Sequence, residues 1–345
     1  MISIKDVAEL AEVSIATVSR YVNSPEQVRA PTAKRVEAAI KKTGYQTNSL
    51  ARNFRTGRTQ QIMVVLPSIG IPFYGPILEG VRKVADSAGY HILVMETAYN
   101  SMEFDDFTRL VVSKQTDGII LLSTLSPFKE PYIKSSGVHP PIVLGLENIS
   151  AELSQFPCIC IDNEAAARDA TEYLIKLGHR KIGFLYGNLG IEAERVEPEP
   201  ELTKARAEGF YNAMANRKIR VNEDWVIKAP ISVKGGRQAA KELLVQAVKP
   251  TAIFCANDEM ALGAMFEIKQ AGLRVPEDIS VIGFDNILYG EISDPPLTTV
   301  EQPAVKIGER SMQRLLKLID GKKGRKKIEI IPHRLVERQS CKALN

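Results

Sequence analysis

Ile4-Lys5-Asp6-Val7-Ala8-Glu9-Leu10-Ala11-Glu12-Val13-Ser14-Ile15-Ala16-Thr17-Val18-Ser19-Arg20-Tyr21-Val22-Asn23 places two short helices around a tight turn. Ile4, Val7, Ala8 and Ala11 recur at helical spacing and share one face. Glu12-Val13-Ser14 interrupts the pattern, and Ser14 stands where its hydroxyl can N-cap a helix from Ile15 to Val22. With Val18 and Val22 turned inward, that second helix presents Ile15, Ala16, Ser19, Arg20 and Asn23 outward, a set able to lie against base edges and phosphates. A third helix is expected from near Pro31 to Lys42, with Val36, Ala39 and Ile40 inward and Gly44 ending it. The pattern alone suits either a DNA-reading helix-turn-helix or a three-helix bundle with a polar face.

Charge separates the two. Residues 1–60 contain ten Lys and Arg against five Asp and Glu, a net of +5, whereas the whole chain carries +4, so residues 61–345 sum to −1. Basic character confined to one small module is the footprint of phosphate contact.

The remaining sequence has ordinary globular composition, 44% hydrophobic and 25% charged over 345 residues, enough for a small domain and a larger core. No basic start leads into an apolar segment, and no apolar run approaches the roughly 18 residues of a membrane helix, so a cytoplasmic protein is expected. Cys158, Cys160, Cys255 and Cys341 form no C-x-x-C pair, and His91, His139, His179 and His333 lack ligand spacing. Neither a metal nor a cofactor is expected.

From residue 62 onward, apolar runs alternate with amphipathic stretches, beginning with Ile62 to Leu66, Pro76 to Gly89, His91 to Met95, Glu103 to Gln115 and Gly118 to Leu122. Pro141 to Leu146 and Ile159 to Ile161 close a first series, and the alternation restarts at Ala165. Two similar parallel α/β lobes are therefore expected. A helix from Pro303 to Ile319, a basic loop from Gly321 to Lys327 and one strand-like segment, Ile328 to Val336, trail behind. Ligands of open α/β sheets bind beyond the carboxyl ends of the strands, and there this chain carries Phe73-Tyr74, Asp162-Asn163, Asn257-Asp258 and Asp285-Asn286. Such residues either cap the following helices or line a cleft for a small polar ligand.

Longer motifs narrow the choice. Ile4-Lys5-Asp6-Val7-Ala8, Ala16-Thr17-Val18-Ser19-Arg20, Leu177-Gly178-His179-Arg180-Lys181-Ile182-Gly183, Asn257-Asp258-Glu259-Met260-Ala261-Leu262-Gly263-Ala264, Val281-Ile282-Gly283-Phe284-Asp285-Asn286 and Pro296-Leu297-Thr298-Thr299 with Gln302-Pro303 run through the chain. Together they resemble the lactose-repressor/galactose-repressor (LacI-type) transcription regulators over essentially the full length, closest to the purine and cytidine repressor branch.

The resemblance implies a fold of α plus α/β class. A helix-turn-helix headpiece (1–47) and a hinge helix with linker (48–61) would precede a two-lobed, doubly wound core (62–345) resembling periplasmic binding proteins. One lobe would comprise about 62–161 plus 292–320, the other about 162–291 plus 321–345. It further implies a cytoplasmic homodimer, nucleoid-associated when bound to double-stranded operator DNA, that regulates transcription, as a repressor, under a nucleoside, purine or sugar effector. Carried onto this chain, Ile15, Ala16 and Arg20 would read bases. Ser14, Thr17, Ser19, Asn23 and Asn48 would contact phosphates. Asn48 to Arg55 would form the hinge helix in the minor groove, with Leu50 meeting its dimer mate, Ala51 and Arg52 at the DNA, and Phe54 as the wedge where leucine is usual. Effector contacts would come from Phe73, Tyr74, Asp162, Arg206, Asn257 and Asp285. Departures fall at Ile71, where asparagine is common, and in the glutamate-rich segment Ile191 to Leu202 before Arg206.

Two alternatives share parts of this reading. A periplasmic ligand-binding protein would need a signal segment and would lack the headpiece. A cytoplasmic enzyme acting on sugars or nucleosides, with an appended DNA-binding module, would need catalytic residues; no G-x-G-x-x-G after a strand, no G-x-x-x-x-G-K-[ST], no G-x-S-x-G and no nucleophile with a nearby histidine occurs. The expectation is a non-enzyme.

Overall fold

The computed structural model describes residues 2–45, 58–97, 115–122, 139–146, 153–187, 201–322 and 328–344. It divides into two compact units, residues 1–59 and 60–345. In the first, α1 (Ile4–Leu10), α2 (Ile15–Asn23) and α3 (Ala30–Thr43) enclose a small core of Val7, Ala8, Ala11, Val18, Val36 and Ala39. Glu12, at φ 51°, turns the chain between α1 and α2. The Ser14 hydroxyl then accepts the amide of Thr17 at 3.1 Å, which starts α2 as the sequence suggests. Pro31 lies in the first turn of α3, and Gly44, at φ 66°, ends it.

The larger unit begins with β1 (Gln61–Leu66), α4 (Tyr74–Ser87), β2 (His91–Glu96), β3 (Gly118–Leu121), β4 (Ile142–Leu146) and β5 (Cys158–Cys160). There follow α5 (Asn163–Lys176), β6 (Ile182–Tyr186), α6 (Glu201–Asn216), β7 (Val226–Lys228), α7 (Val233–Leu244), β8 (Ala252–Cys255), α8 (Asp258–Gln270), β9 (Ser280–Asp285) and α9 (Leu288–Glu291). The chain closes with β10 (Thr298–Glu301), α10 (Ala304–Ile319), β11 (Ile328–Ile330) and β12 (Arg334–Val336). These strands form two sheets of six, ordered β11-β5-β4-β3-β1-β2 and β12-β10-β9-β8-β6-β7. Both sheets thus follow one plan, with the first strand between the second and third, the topology that opens a crevice at the carboxyl ends. Among the described residues every pairing is parallel except that of β10 with β12. Buried on both faces, strands such as β3 and β8 read as unbroken apolar runs.

The lobe boundaries differ from the sequence expectation. Residues 298–301 pair with β9 and belong to the second lobe, while α10 packs on the first. The trailing segment 328–336 is two strands rather than one: β11 pairs with β5 in the first sheet and β12 with β10 in the second. Pro332 stands between them and has no amide with which to continue a ladder. Among the described residues the chain therefore crosses between lobes three times, at 161–163, 302–303 and 331–333. The docking of α10 depends on two glycines: a Cβ on Gly80 would sit 2.1 Å from the carbonyl oxygen of Val305, and one on Gly308 would sit 2.1 Å from that of Ile77. Ile307, Met312 and Leu315 of α10 are fully buried against the first lobe.

His179 shows why one motif stretch is built as it is. Gly178, at φ 96°, ends the turn after α5. His179 then bonds Thr251 Oγ1 through Nδ1 at 2.9 Å and the carbonyl oxygen of Lys342 through Nε2 at 3.1 Å, fastening the C-terminal segment to the second lobe. Burial lowers its pKa from the usual histidine value, so the neutral ring serves as a structural bridge. The expected helix Glu103 to Gln115 falls almost wholly outside the described residues, as does most of the basic loop to Lys327.

Candidate functional site

The headpiece presents the outward face of α2. Val18 is fully buried, whereas Ile15 is 44% exposed and Ser14, Ala16 and Arg20 are also exposed. Thr17 and Ser19 are half-buried on the same helix. Ser14 and Thr17 hydroxyls lie 2.9 Å apart, so Ser14 acts as the cap of α2 as well as an exposed hydroxyl. Asn23 ends the helix, its side chain outside the described residues. Asn48, Leu50, Ala51, Arg52, Phe54 and Arg55, the residues of the expected hinge, also lie outside them. What α2 offers is a strip with apolar Ile15 and Ala16 at its N-terminal end and a guanidinium one turn on. That arrangement can meet a thymine methyl and a guanine in a major groove.

The core holds a partly open cavity where the carboxyl ends of the two sheets converge. The first lobe contributes Ile71, Phe73, Tyr74 and Leu146. The second lobe and its crossover contribute Asn163, Leu202, Arg206, Ile231, Asn257, Glu259, Asp285 and Gln302. Five of the six residues singled out from the sequence, Phe73, Tyr74, Arg206, Asn257 and Asp285, therefore come together around one space. Asp162 is not among the lining residues: it is exposed, and its carboxylate caps α5 by accepting the amide of Ala165 at 2.9 Å. Its neighbour Asn163 faces the cavity instead.

Arg206 is the organising cation. Its Nε donates to Asn163 Oδ1 at 2.9 Å and its Nη1 to the carbonyl oxygen of Ala256 at 2.6 Å. The guanidinium carbon lies 3.8 Å from the Phe284 ring centroid, and Nη2 is 3.9 Å from Asp285 Oδ1. Asp285 in turn receives the side-chain amide of Gln302 at 2.6 Å. Burial pushes the Asp285 carboxyl up to about 6, with Arg206 and the Gln302 bond pulling the other way. Asp285 and Asn286 adopt φ of 114° and 61°, and Leu146 φ of 82°. Three non-glycine residues in the left-handed half of conformational space at the strand ends beside one cavity mark strain held for a purpose.

Behind this shell lies Asp258, buried at the start of α8, which accepts the amide of Ile287 at 2.8 Å and bonds the Thr299 hydroxyl at 2.5 Å. It ties β9, β10 and α8 together. Burial first, then the nearby Asp285, pushes it up to about 8. Phe73 and Tyr74 stand 5.8 Å apart, tilted by 60°, and give the cavity an aromatic wall. Sequence reading missed Gln302 and Glu259 as lining residues, and it offered Asn163 only as part of a strand-end pair, not among the six effector contacts. The signal was positional: Gln302 follows β10 directly, and Glu259 lies in the first turn of the helix after β8.

Cys158, Cys160, Cys255 and Cys341 are free thiols, and among the described residues no group of three or more His, Cys, Asp or Glu is placed to hold a metal ion. No helix among the described residues is long and apolar enough to cross a membrane.

Comparison with known proteins joins the two units. Residues 3–48 match the model of bacterial regulatory proteins, lacI family, and residues 171–341 match the periplasmic binding protein-like domain. The HTH-type transcriptional repressor CytR of Escherichia coli (strain K12) is 36% identical over 342 residues, covering 99% of this chain and 97% of that protein. The HTH-type transcriptional repressor PurR of Vibrio cholerae is 34% identical over 346 residues, covering 100% and 99% respectively. Among solved structures, the lac repressor dimer bound to operator and the anti-inducer ONPF superposes with a TM-score of 0.83 at 28% identity, covering 99% of each chain. A lacI headpiece, a ligand-binding core and full-length likeness to repressors converge: this chain belongs to the lacI family of bacterial regulatory proteins and is a DNA-binding transcriptional regulator controlled through an effector-binding core.

Proposed function

We propose that the chain acts as a homodimeric cytoplasmic repressor, reading operator half-sites with Ile15, Ala16 and Arg20 of α2 and answering a small polar effector held in the cavity between the lobes. The observation that carries this reading is the cavity itself. It joins both lobes, combines an aromatic wall from Phe73 and Tyr74 with the Arg206, Asp285 and Gln302 cluster, and borders the 302–303 crossover. A ligand that bridges the lobes favours their closed arrangement by its differential affinity, and the lobes carry the headpiece. The likeness to the lac repressor, a dimer bound to operator and an anti-inducer, supports both the dimer and the effector.

The effector class is a nucleoside, purine or sugar, and the protein does no chemistry on it. Asp285 and Glu259 have the raised pKa values a general acid would use, so the enzyme reading is tested directly. Purified protein is screened by thermal shift with nucleosides, purines and sugars, each hit is checked for turnover, and DNA binding is titrated with and without it. A hit that changes operator affinity without being consumed is expected, and Asp285→Ala is expected to abolish the response while basal DNA binding persists. A consumed ligand would sink the non-enzyme reading, and a normal response from Asp285→Ala would sink the cavity assignment.

A further inference from the structure

The core is entered through a strained residue. Gln60 opens the larger unit, immediately before β1, and has φ 57°. That left-handed region is costly for a residue with a Cβ and open to glycine. Gln60 is nonetheless pinned in it from both sides. Its amide donates to Asp117 Oδ2 at 2.9 Å, and its carbonyl oxygen accepts the amide of His91 at 2.9 Å. The first bond ties it to the loop before β3 and the second to the start of β2, the two strands that flank β1. The same loop is fastened to β1 itself. The Asp117 amide donates to the carbonyl oxygen of Gln61 at 2.9 Å, and the Thr116 hydroxyl accepts the amide of Met63 at 3.1 Å.

The sheet itself has no need of this turn. A parallel strand begins from extended backbone, and the β1 ladder starts one residue later, with Gln61 opposite His91 and Ile62 opposite Gly118. Strain kept by a bond to a carboxylate, where the sheet has no use for it, points to a role outside the sheet. On the other side of Gln60 runs the chain from the headpiece. We infer that Gln60 and Asp117 are positioning residues for operator recognition, forming a rigid elbow that fixes the direction in which the chain from the headpiece joins the first lobe. The elbow lies at the amino ends of the strands, opposite the cavity at their carboxyl ends. Without it the chain swivels about the Gln60 dihedrals, and a rotation of the lobe is absorbed there instead of reaching the DNA-reading module. Specific binding then has to order that swivel each time. Non-specific binding, carried by the basic headpiece, needs no fixed direction. This inference rests on the repressor reading above.

The test compares the full-length protein with four variants on two duplexes of equal length, one selected in vitro by the native protein and one of random sequence. Binding is read by fluorescence anisotropy at a single salt concentration. Asp117→Ala removes the acceptor, and Gln60→Val, branched at Cβ, does not hold the left-handed turn. Each is expected to lower the preference for the selected duplex at least about ten-fold while keeping affinity for the random duplex within about two-fold. Asp117→Asn still offers an oxygen to the Gln60 amide, and Gln60→Gly takes φ 57° without strain. Both are expected to stay within about three-fold of the native preference. Thermal melting is followed in parallel. If one of the first two variants is unfolded at the assay temperature, the other decides, and if both are, the turn is structural and the inference falls. Undiminished preference in either folded variant, an equal loss in Gln60→Gly, or a parallel fall in random-duplex affinity would also overturn it. If the native protein selects no duplex, the repressor reading falls as well.

Discussion

Gln302 donates its side-chain amide to Asp285 Oδ1 at 2.6 Å, joining the end of β9 to the residue where the chain leaves the second lobe for the first. The bond places one carboxylate at once in the cavity and at an interlobe crossover. Gln302→Glu would set a second carboxyl against Asp285, and the two cannot both ionise at that distance. Effector affinity is therefore expected to fall about ten-fold or more at pH 8 and to recover in part near pH 6, where the pair shares a proton. Titrations at the two pH values check this; a loss independent of pH would mean that Gln302 acts through shape alone.

Asp258 makes folding stability itself depend on pH. Burial raises it from the ordinary 3.8 to about 8, so between those values the native chain keeps a proton that the unfolded chain has released. Its contribution is fully present below pH 4 and is lost as pH rises through 8, with a slope of at most about 1.4 kcal/mol per pH unit. Asp258→Asn can still accept from Ile287 and donate to Thr299, so its melting temperature is expected to gain on the native protein steadily from pH 5 to pH 8. Parallel melting curves for the two proteins across that range would remove Asp258 as the source.

Gly283 lies against the same carboxyl group. A Cβ there would approach Asp258 Oδ1 to 2.2 Å and Leu297 Cδ2 to 2.9 Å. Gly283→Ala is expected to destabilise the core by about 1 to 3 kcal/mol, measured by denaturant unfolding. A neutral result would show that β9 shifts freely at this point, at odds with its fully buried setting.

On the headpiece, Ile15 and Ala16 offer no hydrogen bonds while Arg20 offers a fork, so the half-site should combine a thymine contact with a guanine. Arg20→Ala is expected to cost about 1 to 3 kcal/mol and to relax selection at the guanine position. Operator selection by the variant with guanine preference intact would assign that base to another residue.

The expected hinge, Asn48 to Arg55, is too short to be a stable helix alone, since isolated helices below about 12 residues are marginal in water. We propose that it folds on DNA and that Phe54→Ala lowers specific affinity and bending far more than non-specific binding, which is mostly electrostatic. Amide exchange of residues 48–55 with and without operator, beside bending by the variant, checks both. Equal protection in the two states would mean a preformed hinge.

Much of this architecture was legible in the residues because local rules act strongly there. Ser14 caps, Gly44 stops a helix, and the apolar runs of β1, β3 and β8 have no other use than a sheet buried on both faces. What escaped was set by tertiary partners. Ile328 to Val336 reads as one strand because nothing local says that β11 and β12 find different sheets. Asp162 and Asn163 are chemically alike and adjacent, so only the entry angle of α5 decides that the first caps and the second faces the cavity. Glu259 looks like any acidic residue in a first helical turn until the walls around it are known.

The three crossings bear on how the protein comes into being. Neither sheet is complete until the last strands have been synthesised, because β11 finishes the first and β12 the second, while α10 covers the first lobe from a position late in the chain. The headpiece, by contrast, is finished within the first forty-five residues. A growing chain thus holds a folded DNA-reading module long before it has a core able to sense anything. A ribosome that stops after β10 leaves that module attached to a core that cannot close. A stop codon between β10 and β11 is thus expected to yield a fragment that is degraded or insoluble and not a constitutive repressor.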